Sequence, residues 1–254
     1  MNRILVAITF PFVFASLAHP QQSSTPQPLN ANVSDQGTSF TFSPAICPGC
    51  VEAELGFQNL QDVNTLPVVL TVALPRGRTD ASVLVNALDS EAPGSKRVTH
   101  FGNRFDFIVR QQVAATGGFL LTLAPRGTVF DRDGDGGRAG LTLDPQYTWG
   151  KNSVAFNLTW TGGIGISGAN PQSDYLTSFD YTRTLANIGT AAFVGFQQED
   201  ADGYQTMAIE EGFVIPFRNG QVELATEQLN LNTSPEAQFQ ARVIFNWGKV
   251  FGRK

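Results

Sequence analysis

Three stretches of this chain alternate apolar and polar residues with a period of two. In "SVAFNLTW" (153–160), Val154, Phe156, Leu158 and Trp160 alternate with Ala155, Asn157 and Thr159. In "FQARVIFNW" (239–247), Phe239, Ala241, Val243, Phe245 and Trp247 fall on one side and Gln240, Arg242 and Asn246 on the other. In "NRFDFIVR" (103–110), Phe105, Phe107 and Val109 stand opposite Arg104, Asp106 and Arg110. Successive side chains of a strand point to opposite faces, whereas a helix repeats every 3.6 residues. The chain is therefore built of strands with one apolar and one polar face. Two architectures satisfy that pattern: a soluble sandwich with the apolar faces inside, and a transmembrane barrel with them outside and a polar lumen.

The rhythm of the connections favours the barrel. Candidate strands fall at 50–59, 66–75, 81–89, 98–112, 118–130, 138–149, 153–166, 174–185, 190–198, 204–216, 222–231 and 237–247, about twelve. The links "PRGRT", "ATG", "GKN", "NIG" and "RNGQ" are tight and carry the Gly or Asn that hairpins require. Those at "SEAPGSKR", "DRDGDGG", "SGANPQS" and "EDADG" are longer and more polar. Long and short links largely alternate, as in outer-membrane barrels with short periplasmic turns and longer extracellular loops. Both termini then lie on the periplasmic side. Tyr147, Trp149, Trp160, Tyr175, Tyr181, Phe217 and Trp247 lie near expected strand ends, where a membrane band collects amphipathic rings.

Composition agrees. The chain has 254 residues, 42% hydrophobic, with 20 Phe and 25 Gly and only 15% charged residues, against about 25% in ordinary soluble domains. A net charge of −5 argues against a nucleic-acid partner, which would want a basic stripe. The opening "MNRILVAITFPFVFASLAHP" has Arg3 ahead of an apolar run, with small Ser16 and Ala18 where a peptidase would read them. Residues 1–18 are therefore expected to be a cleaved secretory signal. The run is shorter than the roughly 20 residues of a membrane-spanning helix. Residues 19–44, rich in Pro, Gln and Ser, are expected to form a flexible periplasmic tail, one that could also plug a lumen. Residues 45–254 are expected to form one barrel domain.

The signal, the alternating strands and the closing segment "QARVIFNWGK" resemble bacterial, Gram-negative outer-membrane β-barrel proteins. The resemblance covers residues 50–247 and is looser to small porin or transporter barrels, such as MetA-type proteins of phenol-degradation pathways. It implies an antiparallel up-and-down transmembrane β-barrel, with outer-membrane lipid and the barrel assembly machinery as partners. In that family the last strand carries a polar residue followed five and seven positions later by aromatic ones. Gln240, Phe245 and Trp247 match, as an assembly signal. Arg242 stands where glycine is usual, and the chain runs on through "KVFGRK".

Several motifs compete with this reading. Asp131, Asp133, Asp135 and Gly136 match the first half of an EF-hand loop. Thr142 occupies the twelfth position, where a bidentate Glu is needed, and the flanks are strand-like. A solvated acidic tip is favoured over a looser calcium site on the three aspartates. Cys47 and Cys50, in "CPGC", are the only cysteines and in an oxidising compartment are expected to form a disulfide. No thioredoxin-like unit follows that would make them a redox pair. "GIGISG", ahead of Pro171, lacks the helix a dinucleotide site requires. The two histidines, His19 and His100, have no nucleophilic serine in a G-x-S-x-G context, so no enzyme activity and no cofactor are expected.

The polar faces carry the remaining chemistry. Arg104, Asp106, Arg110, Arg126, Asp180, Glu223, Glu227 and Arg242 are expected to line the lumen. The expected function is a passive pore or facilitated transporter for a small-molecule solute. The alternative is a secreted soluble all-β binding protein with an acidic, calcium-binding loop; a barrel enzyme or structural anchor is a third reading.

Overall fold

A computed structural model of the chain describes residues 48–60, 63–75, 78–90, 99–100, 104–130, 137–164, 173–185, 190–201, 204–232 and 235–250. The signal and tail, Cys47 and the aspartates of the 131–135 loop lie outside the described residues. The elements are β1 (Cys50–Leu60), β2 (Val63–Ala73), β3 (Thr79–Ser90), β4 (Thr99–His100), β5 (Arg104–Thr116), β6 (Phe119–Phe130) and β7 (Gly137–Trp149). They continue as β8 (Asn152–Ile164), β9 (Ser173–Leu185), β10 (Thr190–Ala201), β11 (Tyr204–Phe217), β12 (Gly220–Leu229) and β13 (Glu236–Lys249). All pairings are antiparallel between neighbours in sequence, except that β3 pairs with β5 past the two-residue β4, and β1 pairs with both β2 and β13. That last pairing joins the first strand to the last. The sheet is thus a closed up-and-down barrel of twelve long strands, with β4 appended to the end of β3.

Closure leaves no unpaired edge, so backbone donors and acceptors find partners without water. The strands run mostly 11–14 residues, enough to cross a bilayer when tilted, for which about 9–11 are needed. At one end of the barrel the links are tight. Gly117 and Gly118 both take positive φ, 55° and 87°, the geometry of a type I′ hairpin that matches strand twist. A side chain on Gly118 would also run into the Thr148 carbonyl oxygen.

The alternation sorts the side chains as a membrane barrel does. Phe107, Phe156, Leu158, Trp160, Phe179, Phe213, Phe239 and Phe245 are all exposed on the outer face. The residues between them, among them Asp106, Asn157, Thr159, Asp180, Glu210 and Gln240, are buried on the inner face. A soluble sandwich would invert this order, so the sandwich reading is corrected. One closed sheet has no second sheet to pack against, and the exposed apolar face would be left in water. Among the described residues the inner face carries two apolar patches, Val69, Leu84, Ile108 and Ala124 from β2, β3, β5 and β6, and Ala191 with Val214 from β10 and β11.

Within the stretch 98–112 the described strands are β4, ending at His100, and β5, beginning at Arg104, both paired with β3. One expectation about connections changes. The link at "EDADG" shrinks because β10 and β11 pair out to Ala201 and Tyr204. A polar loop composition does not prevent pairing at a barrel rim, where strands can extend beyond the lipid into water.

Candidate functional site

The aromatic rings form two outer groups. Near the tight-turn end, Tyr147 stacks on Trp149 at 5.7 Å, Trp149 lies 6.5 Å from Tyr181, and Phe217 meets Phe245 edge-on at 5.7 Å. Trp247 projects beside them, 58% exposed. At the opposite end Trp160 is registered against Tyr175. Rings that are amphipathic favour the two water-facing borders of a bilayer over its middle. The apolar band lies between these groups.

The inner face is the chemical site, and its charge is one-sided. Among the described residues, the buried charged side chains are nine carboxylates, Glu52, Glu54, Asp80, Asp106, Asp144, Asp180, Glu210, Glu223 and Glu227, and three guanidiniums, Arg110, Arg126 and Arg242. Of the side chains expected to line the lumen, Asp106, Arg110, Arg126, Asp180, Glu223, Glu227 and Arg242 all sit on this face; the side chain of Arg104 lies outside the described residues. Glu52, Glu54, Asp80, Asp144 and Glu210 are inner-face charges the sequence reading did not single out. "VEAEL" alternates and could have yielded the first two. In "IEEGF", Ile209 and Phe213 alternate in step with Glu211, so the same pattern could have placed Glu210 on the opposite face.

The arginines are engaged. Arg110 Nε donates to Asp80 Oδ1 at 2.8 Å, with both side chains fully buried, and Arg110 Nη2 reaches Ser82 Oγ at 3.3 Å. This ties β5 to β3. Arg242, on β13, donates to Glu223 Oε1 of β12 at 2.5 Å and to Glu54 Oε1 of β1 at 3.3 Å. It therefore bridges the seam where the first and last strands meet. Gly56 of β1 lies opposite Arg242 in the ladder. A side chain there would stand 2.7 Å from the Pro67 ring and 3.5 Å from the Arg242 stem. The glycine is needed by the Pro67 ring on β2, whereas the Arg242 stem lies at ordinary contact distance.

The carboxylates are less well provided. Glu52, Glu54, Asp144, Glu223 and Glu227 each keep one buried oxygen without a hydrogen bond, and Glu210 keeps both. A dry interior would penalise each such group by about 1–3 kcal/mol or more. Carboxylate oxygens buried and unpaired in this number make the inner face a costly one for the fold. No group of three or more His, Cys, Asp or Glu among the described residues is placed to hold a metal ion.

The other expected site residues are placed as follows. Gln240 is buried inside and donates to Glu227 Oε2 at 3.0 Å, while Phe245 and Trp247 face outward. Cys50, at the start of β1, is buried and disulfide-bonded; Cys47 is the chain's other cysteine.

No protein-family model matches the chain, and no curated protein matches it. Solved structures do resemble it. The NanC porin superposes with a TM-score of 0.55 at 9% identity, covering 77% of this chain and 98% of its own. The KdgM porin gives 0.55 at 7% identity, covering 76% and 98%. At such identities the likeness is one of fold: the chain folds as those outer-membrane barrels do.

Proposed function

We propose that the protein is a non-enzymatic barrel of the bacterial outer membrane that lets small solutes pass by diffusion through its interior. The observation that carries this is the sorting of the closed wall, apolar and ringed by aromatic residues outside, polar and charged inside. Lipid is the medium that stabilises such an exterior, and water is the medium that stabilises such an interior. The likeness of fold to two proteins named as porins supports the same reading.

The reading includes export through a cleaved signal at residues 1–18 and a periplasmic tail at 19–44. It includes insertion by the assembly machinery, with Gln240, Phe245 and Trp247 as the recognition segment. The tight turns are then periplasmic and the longer links extracellular. No cofactor enters the reading, and the Asp131, Asp133, Asp135 loop is a solvated tip.

The test begins with detergent extraction of membranes and gel mobility with and without boiling. A heat-dependent shift is expected of a closed barrel. The refolded protein is then reconstituted into liposomes and exposed to a small uncharged sugar. Sugar-driven swelling above that of empty liposomes is expected. A barrel that inserts and shifts on heating yet admits no solute would overturn the pore and leave a structural anchor.

A further inference from the structure

We infer that the interior selects cations, and that a row of carboxylates across β9, β11 and β12 is the selecting element. The inference rests on the pore reading and gives it a substrate class. Asp180 is registered against Gly195, Gly195 against Glu210, Glu210 against Glu227, and Glu227 against Gln238. The row therefore reads carboxylate, glycine, carboxylate, carboxylate, amide across five neighbouring strands, all on the inner face.

Like charges directly opposite one another on adjacent strands destabilise a sheet. Glu210 and Glu227 are such a pair, and both are 1% exposed. Neither Glu210 oxygen has a hydrogen-bond partner, and Glu227 keeps one free as well. Nothing in the row supplies a positive charge. Arg242, on β13 with Gln238, is already held between Glu54 and Glu223. Gly195 adds no side chain between Asp180 and Glu210, so the row is open at that point. Gln240 satisfies one oxygen of Glu227 at 3.0 Å, but Glu210 has no such contact, and a local rule broken in this way marks a functional position.

The wider wall has the same sign, with nine buried carboxylates against three guanidiniums among the described residues. An acidic lining attracts cations and repels anions. Since no cluster among the described residues could chelate a metal, the solutes favoured are mobile ones: hydrated monovalent cations and small organic cations.

The test is the potassium-to-chloride permeability ratio of the full-length mature protein in planar bilayers under a potassium chloride gradient. Carboxylates on the wall favour potassium and disfavour chloride, so removing their charge lowers that ratio, less as salt screens it. Wild type is expected to prefer potassium. Glu210→Gln with Glu227→Gln, isosteric changes, is expected to lower the ratio at least about threefold, and each single change by less. Glu211→Gln, on the outer face, is expected to leave it unchanged.

Wild-type pores that conduct without cation preference would overturn the inference while leaving the pore intact, whether or not the variants fold. A cation preference that survives in a heat-modifiable double variant would overturn the assignment to this row. Absence of both conductance and sugar-driven swelling would remove the pore reading and this inference with it.

Discussion

Removing Arg242 tests how the barrel is closed. The side chain makes two charge-assisted hydrogen bonds, at 2.5 Å to Glu223 and 3.3 Å to Glu54, and all three side chains are 3% exposed. Such bonds contribute roughly 1.5 kcal/mol or more each, so Arg242→Met is expected to cost about 3 kcal/mol. That is the lower end of the 3–5 kcal/mol, roughly, seen when one partner of a buried pair is deleted. The loss is large because Glu54 and Glu223 remain, facing each other across β13 without their counter-ion. The assay is guanidinium unfolding of the protein refolded in phospholipid vesicles, followed by the fluorescence of its three tryptophans. Adding Glu54→Gln and Glu223→Gln to Arg242→Met removes the stranded charges and is expected to recover most of the loss. Arg242→Lys is expected to fall between wild type and Met, since an ammonium lacks the fork that reaches two carboxylates. A loss below about 1 kcal/mol, or a triple variant no more stable than the single one, would show that the seam does not depend on this bridge.

Three other changes have defined outcomes. Gly220→Ala places a methyl group onto the Ile244 carbonyl oxygen, which is backbone and cannot step aside; the β12–β13 ladder must open, and a lower unfolding midpoint by gel shift on heating is expected, against an unchanged midpoint if the strands simply slide. Glu211, exposed in mid-strand on the outer face and registered against Val194 and Thr226, costs stability in lipid; Glu211→Leu is expected to raise the unfolding free energy in vesicles by about 1 kcal/mol or more, and a decrease would show that the carboxylate meets a partner in the membrane. Changing Asp131, Asp133 and Asp135 together to Asn is expected to leave the unfolding midpoint unaltered with or without calcium; a calcium-dependent rise in wild type that the variant lacks would restore the metal site.

Much of this protein was legible in one dimension. Strand identity, approximate strand number and the sorting of residues onto an apolar and a polar face all follow from period-two alternation and turn residues, because a strand's two faces are written alternately along the chain. Arg242 and Glu223 could be assigned to the inner face on that basis, and so could Asp106 and Arg110. Alternation by itself leaves two questions open. It does not say which face meets lipid, which depends on whether the sheet closes on itself or packs on another. It also does not say which residues on different strands become neighbours, which depends on register. Register placed Arg242 between Glu54 and Glu223, separated from the first by 188 positions, and set Glu210 beside Glu227. A shift of one residue would have exchanged the faces. The sequence on its own determined that the wall has a polar side and an apolar side; only the closed tertiary structure decided that the polar side is predominantly acidic, because partners from distant strands must be counted together before the charges can be balanced.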